Sequence, residues 1–252
     1  MKTLAVAIIT LNEERNIRRC LTSIRDLADE IIILDAFSSD KTVAIAQEFN
    51  ARVEQRTWQG YAASKNYLNS LVQSDYILSL DADEALSEEL YQTLKHEKEK
   101  GFSGTYSVNR MTNYMGKWIK HSGWFPDIKL RIFPKEGSYW TGEFVHEELI
   151  TNDKTPQLLK GILEHYSYYS YEDHQQRADK YSRLTAQKMH VAGKKANLLK
   201  PYLSAIGRFI AMYVIKLGFL DGWSGFKIAQ ISAKSNVLKY KELIRLNNSN
   251  DE

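Results

Sequence analysis

Asp75-Tyr76-Ile77-Leu78-Ser79-Leu80-Asp81-Ala82-Asp83-Glu84 is the stretch around which the rest of the chain is organised. Tyr76 to Leu80 has the length and apolarity of a short buried strand, and it stops at three acids with one alanine among them. In an open α/β sheet, ligands gather outside the carboxyl ends of the strands, so acids mounted there face a cleft. Carboxylates this close repel one another unless a cation lies between them or one takes up a proton, and an oxygen-rich pair suits Mg²⁺ or Mn²⁺. The same residues also fit a polar strand-to-helix turn, with Asp83 or Ser87 capping a helix over Glu88 to Lys98.

Upstream, Leu4 to Thr10 reads as a first strand closed by Leu11-Asn12-Glu13-Glu14, after which Ile17, Cys20, Leu21, Ile24 and Leu27 recur at helical spacing. Asn12 stands where an N-cap belongs, and Glu13 and Glu14 complement the positive end of the helix dipole. Glu30 to Asp35 is a second apolar run ending in an acid, followed by Ala36-Phe37-Ser38-Ser39-Asp40-Lys41-Thr42 and a helix from Val43 to Phe49. Arg52 to Gln55 gives a short third strand, and Ala62 to Val72 a third helix carrying Lys65. This alternation predicts a mostly parallel sheet with Thr10, Asp35 and Asp81 along one edge. Neither a glycine-rich dinucleotide fingerprint nor a P-loop follows any of these strands, so a bound phosphate needs a metal ion and basic side chains. Asp35 can accept from a ribose hydroxyl or a base N–H, and Lys65 can neutralise a diphosphate; a turn acid and a solvated lysine fit the same positions.

Downstream, Thr105 to Val145 holds β-prone segments rich in aromatics, suited to packing on a pyranose face or simply to an antiparallel extension of the sheet. In Val145-His146-Glu147 the histidine can be a metal ligand or structural, and the adjacent carboxylate can act as a base. A junction is expected at Asn152 to Pro156, dividing the chain into 1–155 and a helical region, 156–252. The latter predicts a helix over Glu172 to Val191, a strongly apolar stretch from Lys200 to Leu220, a turn at Asp221-Gly222-Trp223-Ser224-Gly225 and a last helix over Phe226 to Leu246. Arg208 and Lys216 interrupt the apolar stretch, which is expected to lie in a membrane interface or to pack on the first domain rather than to span.

A hydrophobic fraction of 43% across 252 residues supports a substantial core. Cys20 is the one cysteine, which excludes an internal disulfide and a cysteine-based zinc site. The apolar run at Leu4 to Ile9 is too short for a signal peptide, so a cytoplasmic protein is expected. The formal charge of +3 hides an asymmetry: from Lys160 onward there are 15 Lys and Arg against 8 Asp and Glu. A basic, aromatic C-terminal region fits an anionic membrane surface, nucleic acid or a solvated face.

Ile8-Ile9-Thr10-Leu11-Asn12-Glu13-Glu14, Ile33 to Thr42 and Leu80-Asp81-Ala82-Asp83-Glu84 resemble the three N-terminal signatures of the family 2 inverting glycosyltransferases with the GT-A fold. Gly123 to Phe133, Val145-His146-Glu147 and Gly218 to Gly225 resemble the branch that builds the lipopolysaccharide inner core. The resemblance implies an α/β GT-A domain, a Rossmann-like nucleotide-diphospho-sugar transferase, with a helical C-terminal extension. It implies that Thr10, Leu11, Asn12, Glu13, Asp35 and Lys65 hold the nucleotide, with Asp81 and Asp83 serving ribose, diphosphate and Mg²⁺ or Mn²⁺. His146 joins them as a candidate metal ligand. Ala36-Phe37 departs from the small or polar residues that relatives carry after the acid.

The expected reaction is a single in-line displacement moving a hexose from a nucleotide sugar, UDP-glucose first, to a glycolipid or oligosaccharide acceptor such as lipopolysaccharide core. A diphosphate leaving group needs charge neutralisation rather than protonation, so one metal and one base suffice. Glu147 is the first candidate base and Asp127 the second. No nucleic-acid partner is expected, and the inner face of the cell membrane is a candidate contact. Three rival readings are a haloacid-dehalogenase-type phosphatase, whose second Asp is normally followed by Gly; a nucleotidyltransferase, which needs a glycine-rich basic first loop; and a membrane-associated carbohydrate-binding module.

Overall fold

The structure is a computed structural model and describes residues 2–142 and 147–248. These form two compact units: one comprises 1–111 and 127–166, the other 112–126 and 167–252. The division differs from the single cut expected near residue 155. The pattern after Pro156, expected to be helical, is a twelve-residue strand before the first C-terminal helix begins.

The first unit opens with β1 (Leu4–Thr10), α1 (Ile17–Ile24), β2 (Glu30–Asp35), α2 (Thr42–Glu48), β3 (Arg52–Gln55), α3 (Tyr61–Leu71) and β4 (Tyr76–Asp81). β5 (Glu84–Leu86) and α4 (Glu88–Lys100) follow, and Ser87 caps α4 by accepting from Leu90 N–H. The chain continues through β6 (Tyr106–Tyr114), β7 (Lys117–Trp118), β8 (Asp127–Pro134), β9 (Tyr139–Thr141), β10 (Glu148–Ile150) and β11 (Gln157–Tyr168). The sheet order is β3-β2-β1-β4-β8-β6-β11-β5, parallel from β3 through β4 and antiparallel where β8 joins β4.

β1 shows why the sheet is central. All seven residues are buried; Leu4, Val6 and Ile8 enter one apolar cluster with Ile17, Leu21 and Ile24, while Ala5, Ala7 and Ile9 enter another with Leu68 and Val72. Side chains of successive strand residues point to opposite faces, so a run apolar throughout fits only a strand covered on both sides. Parallel pairing sets Thr10 opposite Asp35, Asp35 opposite Gln55 and Ile9 opposite Asp81. The three expected residues therefore share one edge, and chain order reverses between β1 and β4, the switch point where such sheets bind ligands.

The second unit is built on α5 (Tyr171–Val191), α6 (Lys200–Ile210) and α7 (Gly222–Asn248), with a π-helical turn at Ala211–Ile215 and a 3₁₀ turn at Gly218–Asp221. Trp124, expected in a sugar-binding wall, packs here against Tyr114 and Tyr168, and the Tyr114 hydroxyl lies 2.8 Å from His174 Nδ1. Asp221 is buried and accepts from the backbone N–H groups of Lys120 and His121. A Cβ at Gly225 would fall 1.8 Å from the Gly218 carbonyl oxygen. Trp124 and the Gly218 to Gly225 motif thus help to fasten this unit together.

Candidate active site

Two loops at the carboxyl edge are laced by side chains. Asn12 N–H donates to Ser38 Oγ at 2.8 Å, and Asn12 Oδ1 accepts from Ser39 N–H. Glu13 N–H donates to Thr42 Oγ1, and Glu14 accepts from Lys41 N–H. These contacts replace the expected N-cap and dipole roles: α1 starts at Ile17, behind Asn16, with no acid in its first turn. Asn12 stands at φ 55°, a left-handed conformation that Asn tolerates better than most residues.

Asp35 is fully enclosed. Its oxygens accept from Ser38 N–H, Ser38 Oγ and Gln55 Nε2, at least three of a carboxylate's roughly four acceptor positions. It holds the turn that presents Phe37, which is 57% exposed at φ 62° beside the edge. Leu11 is likewise exposed, and Thr10 Oγ1 is buried without a hydrogen-bond partner among the described residues.

Asp81 is the centre of a chain of alternating charge. Lys65, reaching down from α3, places Nζ 3.3 Å from Asp81 Oδ1, and Arg131 on β8 places a guanidinium nitrogen 3.0 Å from Oδ2. The same Arg131 nitrogen is 2.5 Å from Glu84 Oε1; Arg110 then bridges Glu84 to Asp127, which also meets Lys129 at 3.0 Å. At the other end Lys65 Nζ is 4.0 Å from Glu147 Oε1. The order Glu147, Lys65, Asp81, Arg131, Glu84, Arg110, Asp127, Lys129 gives every buried charge an opposite neighbour, the condition under which such charges are tolerated. Burial alone would raise the Asp81 pKa, but Lys65, Arg131 and Arg110 outweigh it and hold the carboxyl well below the usual range. Asp127 is also held down: burial acts upward, and Arg110 and Lys129 overcome it.

Lys65 is fixed in place rather than solvated. Its ammonium lies 4.5 Å from the centroid of the Trp140 ring. Trp140 in turn exchanges two 2.7 Å backbone hydrogen bonds with the Asn66 side chain, tying β9 to α3. Because β9 pairs with β10, with Thr141 opposite Glu148, the same contacts locate Glu147 at the head of β10. Glu147 Oε2 is buried and has no hydrogen-bond partner among the described residues. His146 lies outside the described residues.

Asp83 takes a separate partner, His165 on β11, whose Nε2 is 3.3 Å from Asp83 Oδ2. Positive charge at Asp81 comes from Lys65 and Arg131, so the cation expected to bridge Asp81 and Asp83 is not needed to hold that pair together. No cluster of three acid, histidine or cysteine ligands exists among the described residues. A carboxylate oxygen and an imidazole nitrogen side by side nevertheless fit one face of Mn²⁺, and fit Mg²⁺, which prefers oxygen ligands, less well; the remaining positions fall to substrate oxygens and water. His165, Arg131, Arg110 and Lys129 had no role in the sequence reading, and Glu84 figured there only as one of three acids at the strand end. Arginine and glutamate on strands otherwise buried were the available signal, since such residues stay inside only when paired.

The model of the family described as "Glycosyl transferase family 2" matches residues 5–157. A glycosyltransferase of Rickettsia prowazekii is 30% identical over 96% of this chain and 87% of its own length. The lipopolysaccharide core biosynthesis glycosyltransferase LpsC of Rhizobium meliloti is 26% identical over 91% of this chain and 87% of its own. Among solved structures, glucosyl-3-phosphoglycerate synthase from Mycobacterium tuberculosis with Mn²⁺, UDP-glucose and phosphoglyceric acid aligns at a TM-score of 0.42, covering 57% of this chain and 61% of that one at 18% identity.

Proposed function

Because the chain belongs to glycosyl transferase family 2, we propose that it moves a hexose with inversion from a uridine-diphosphate sugar, glucose first, to a hydroxyl of a lipopolysaccharide-core acceptor. Membership sets aside the phosphatase, nucleotidyltransferase and simple binding-module readings. The acceptor class rests on the likeness to LpsC, and the donor class on the three N-terminal motifs.

The observation that carries the reaction is the Glu147, Lys65, Asp81 triplet. Lys65 lies between two carboxylates of different standing: Asp81 has both oxygens paired, whereas Glu147 offers one oxygen to Lys65 and, among the described residues, keeps the other open. A buried acceptor atom without a partner carries a desolvation penalty of about 1–3 kcal/mol, which an incoming hydroxyl relieves. Glu147 is therefore the base: Oε2 takes the acceptor proton as the acceptor oxygen attacks the anomeric carbon and the diphosphate leaves from the opposite face. Asp127 is a poorer base, since Arg110 and Lys129 keep its carboxylate ionised and occupied. Lys65 neutralises diphosphate charge, and Thr10 and the Ser38 turn held by Asp35 line the nucleoside end. A divalent cation held by Asp83 and His165 supplies further neutralisation of the leaving diphosphate when bound.

Calorimetry of UDP-glucose, UDP-galactose and UDP-N-acetylhexosamines, each with and without Mn²⁺, tests the donor assignment. Tightest binding of UDP-glucose, strengthened by Mn²⁺, is expected; a different preferred donor would replace glucose, and no binding of any UDP sugar would overturn the donor class.

A further inference from the structure

The second unit carries an apolar surface that its own fold leaves uncovered. Leu199, Leu203, Ile206, Ile210 and Val214 recur every three or four residues along α6 and the turn after it, and each is 45–67% exposed. That spacing puts them on one side of a helix. The other side is settled against α7: Asn236 Nδ2 donates to Ser204 Oγ at 3.0 Å, and Pro201 and Met212 are buried. Beyond the turn the surface continues through Leu217, Phe219, Leu220 and Trp223, each 45–62% exposed. Scattered exposed leucines are ordinary, but nine large apolar side chains in one 25-residue segment mark an interaction surface.

Charge identifies the occupant. From Lys188 to Lys241 the sequence has ten Lys and Arg and one acid, Asp221, which is 3% exposed and hydrogen-bonded inside the unit. An apolar stripe rimmed by cations with no exposed acid would set like charges together in a self-pair, whereas an anionic surface neutralises them. The geometry also fits lying in an interface rather than crossing it. Lys200–Ile215 is roughly 24 Å long against about 30 Å of hydrocarbon, Arg208 sits in its middle, and the chain bends by 72° before Gly218–Asn248. No single helix among the described residues is long and apolar enough to cross a membrane.

We propose that α6 and the two turns after it form an in-plane docking face for an anionic phospholipid surface. The apolar stripe enters the boundary between headgroups and acyl chains. Trp223 settles at headgroup level, and Lys200, Arg208 and Lys216 meet lipid phosphates.

The test is co-sedimentation of the full chain with phosphatidylcholine vesicles, with and without about one third phosphatidylglycerol, beside the double variant Leu203→Glu/Ile206→Glu. Both positions are exposed, so the variant is expected to keep its thermal transition and its mass by light scattering. Expected is binding to phosphatidylglycerol vesicles that weakens with salt and falls at least about tenfold in the variant. Equal binding to both vesicle types, no binding, or binding that the substitutions leave intact would overturn the proposal. A dimer that dissociates in the variant, with no vesicle binding, would assign the face to a second copy instead. The experiment contains no nucleotide sugar, so its outcome is separate from that of the donor screen.

Discussion

Lys65 Nζ stands 3.3 Å from Asp81 and 4.0 Å from Glu147, joining the carboxylate at the end of β4 to the one that opens β10. Its side chain is only 4% exposed, so neither acid can replace it with water at little cost. Lys65→Met keeps the length of the stem and removes the charge. Unfolding free energy should fall by about 3 kcal/mol, the low end for breaking a buried pair because Asp81 retains Arg131. Denaturant unfolding measures this, and a change below about 0.5 kcal/mol would mean the ammonium does not hold the site together.

Asp83 and His165 are expected to carry the divalent cation. Asp83→Asn and His165→Ala should each weaken Mn²⁺ binding in the presence of UDP by about tenfold or more. Asp127→Asn, whose carboxylate is occupied by Arg110 and Lys129, should leave it unchanged. Calorimetric titration of Mn²⁺ separates the two; loss in the Asp127 variant alone would move the metal elsewhere.

Gly161 on β11 has φ +97°, and a Cβ there would meet Leu90 N at 2.3 Å and Leu90 Cα at 2.6 Å. Gly161→Ala should cost about 3 kcal/mol or more, from backbone strain and overpacking together. Gly60 has a similar φ of +95° but open space around it, so Gly60→Ala should cost about 1–2 kcal/mol from strain alone. Equal losses in the two variants, measured by urea midpoints, would remove the packing argument.

Burial pushes the His174 imidazole down to about 4, with Arg177 adding to the effect and Asp173 only partly opposing it. The unfolded chain takes up this proton below about pH 6.5, and the folded protein not until about pH 4. The unfolded state therefore binds more protons across that window, and stability falls as the pH drops from 6.5 to 4. His174→Phe should flatten this part of the melting-temperature profile. An unchanged slope would contradict the burial of a neutral imidazole beside Tyr114.

The parallel half of the sheet was legible because β1, β2 and β4 carry nearly continuous apolar runs that end in Thr10, Asp35 and Asp81, and period and punctuation are local properties. The last strand was not. Gln157 to Tyr168 carries Lys, Glu and His among its apolar residues, and its glycine is required by Leu90, which is distant in sequence. The site divides the same way. Asp81, Lys65 and Glu147 could be named, but that Lys65 joins the other two depends on Asn66 binding Trp140 across a gap of 74 residues. Asn12 failed as a cap because Ser38 and Ser39, 26 and 27 residues on, claim it.

Glu147→Gln tests the proposed chemistry most directly, because it keeps the shape of the side chain and removes its basicity. Transfer should fall by roughly 10²–10⁴-fold, while UDP-glucose affinity by calorimetry stays within about threefold. Near-normal turnover in that variant would contradict Glu147 as the base and pass the role to another carboxylate.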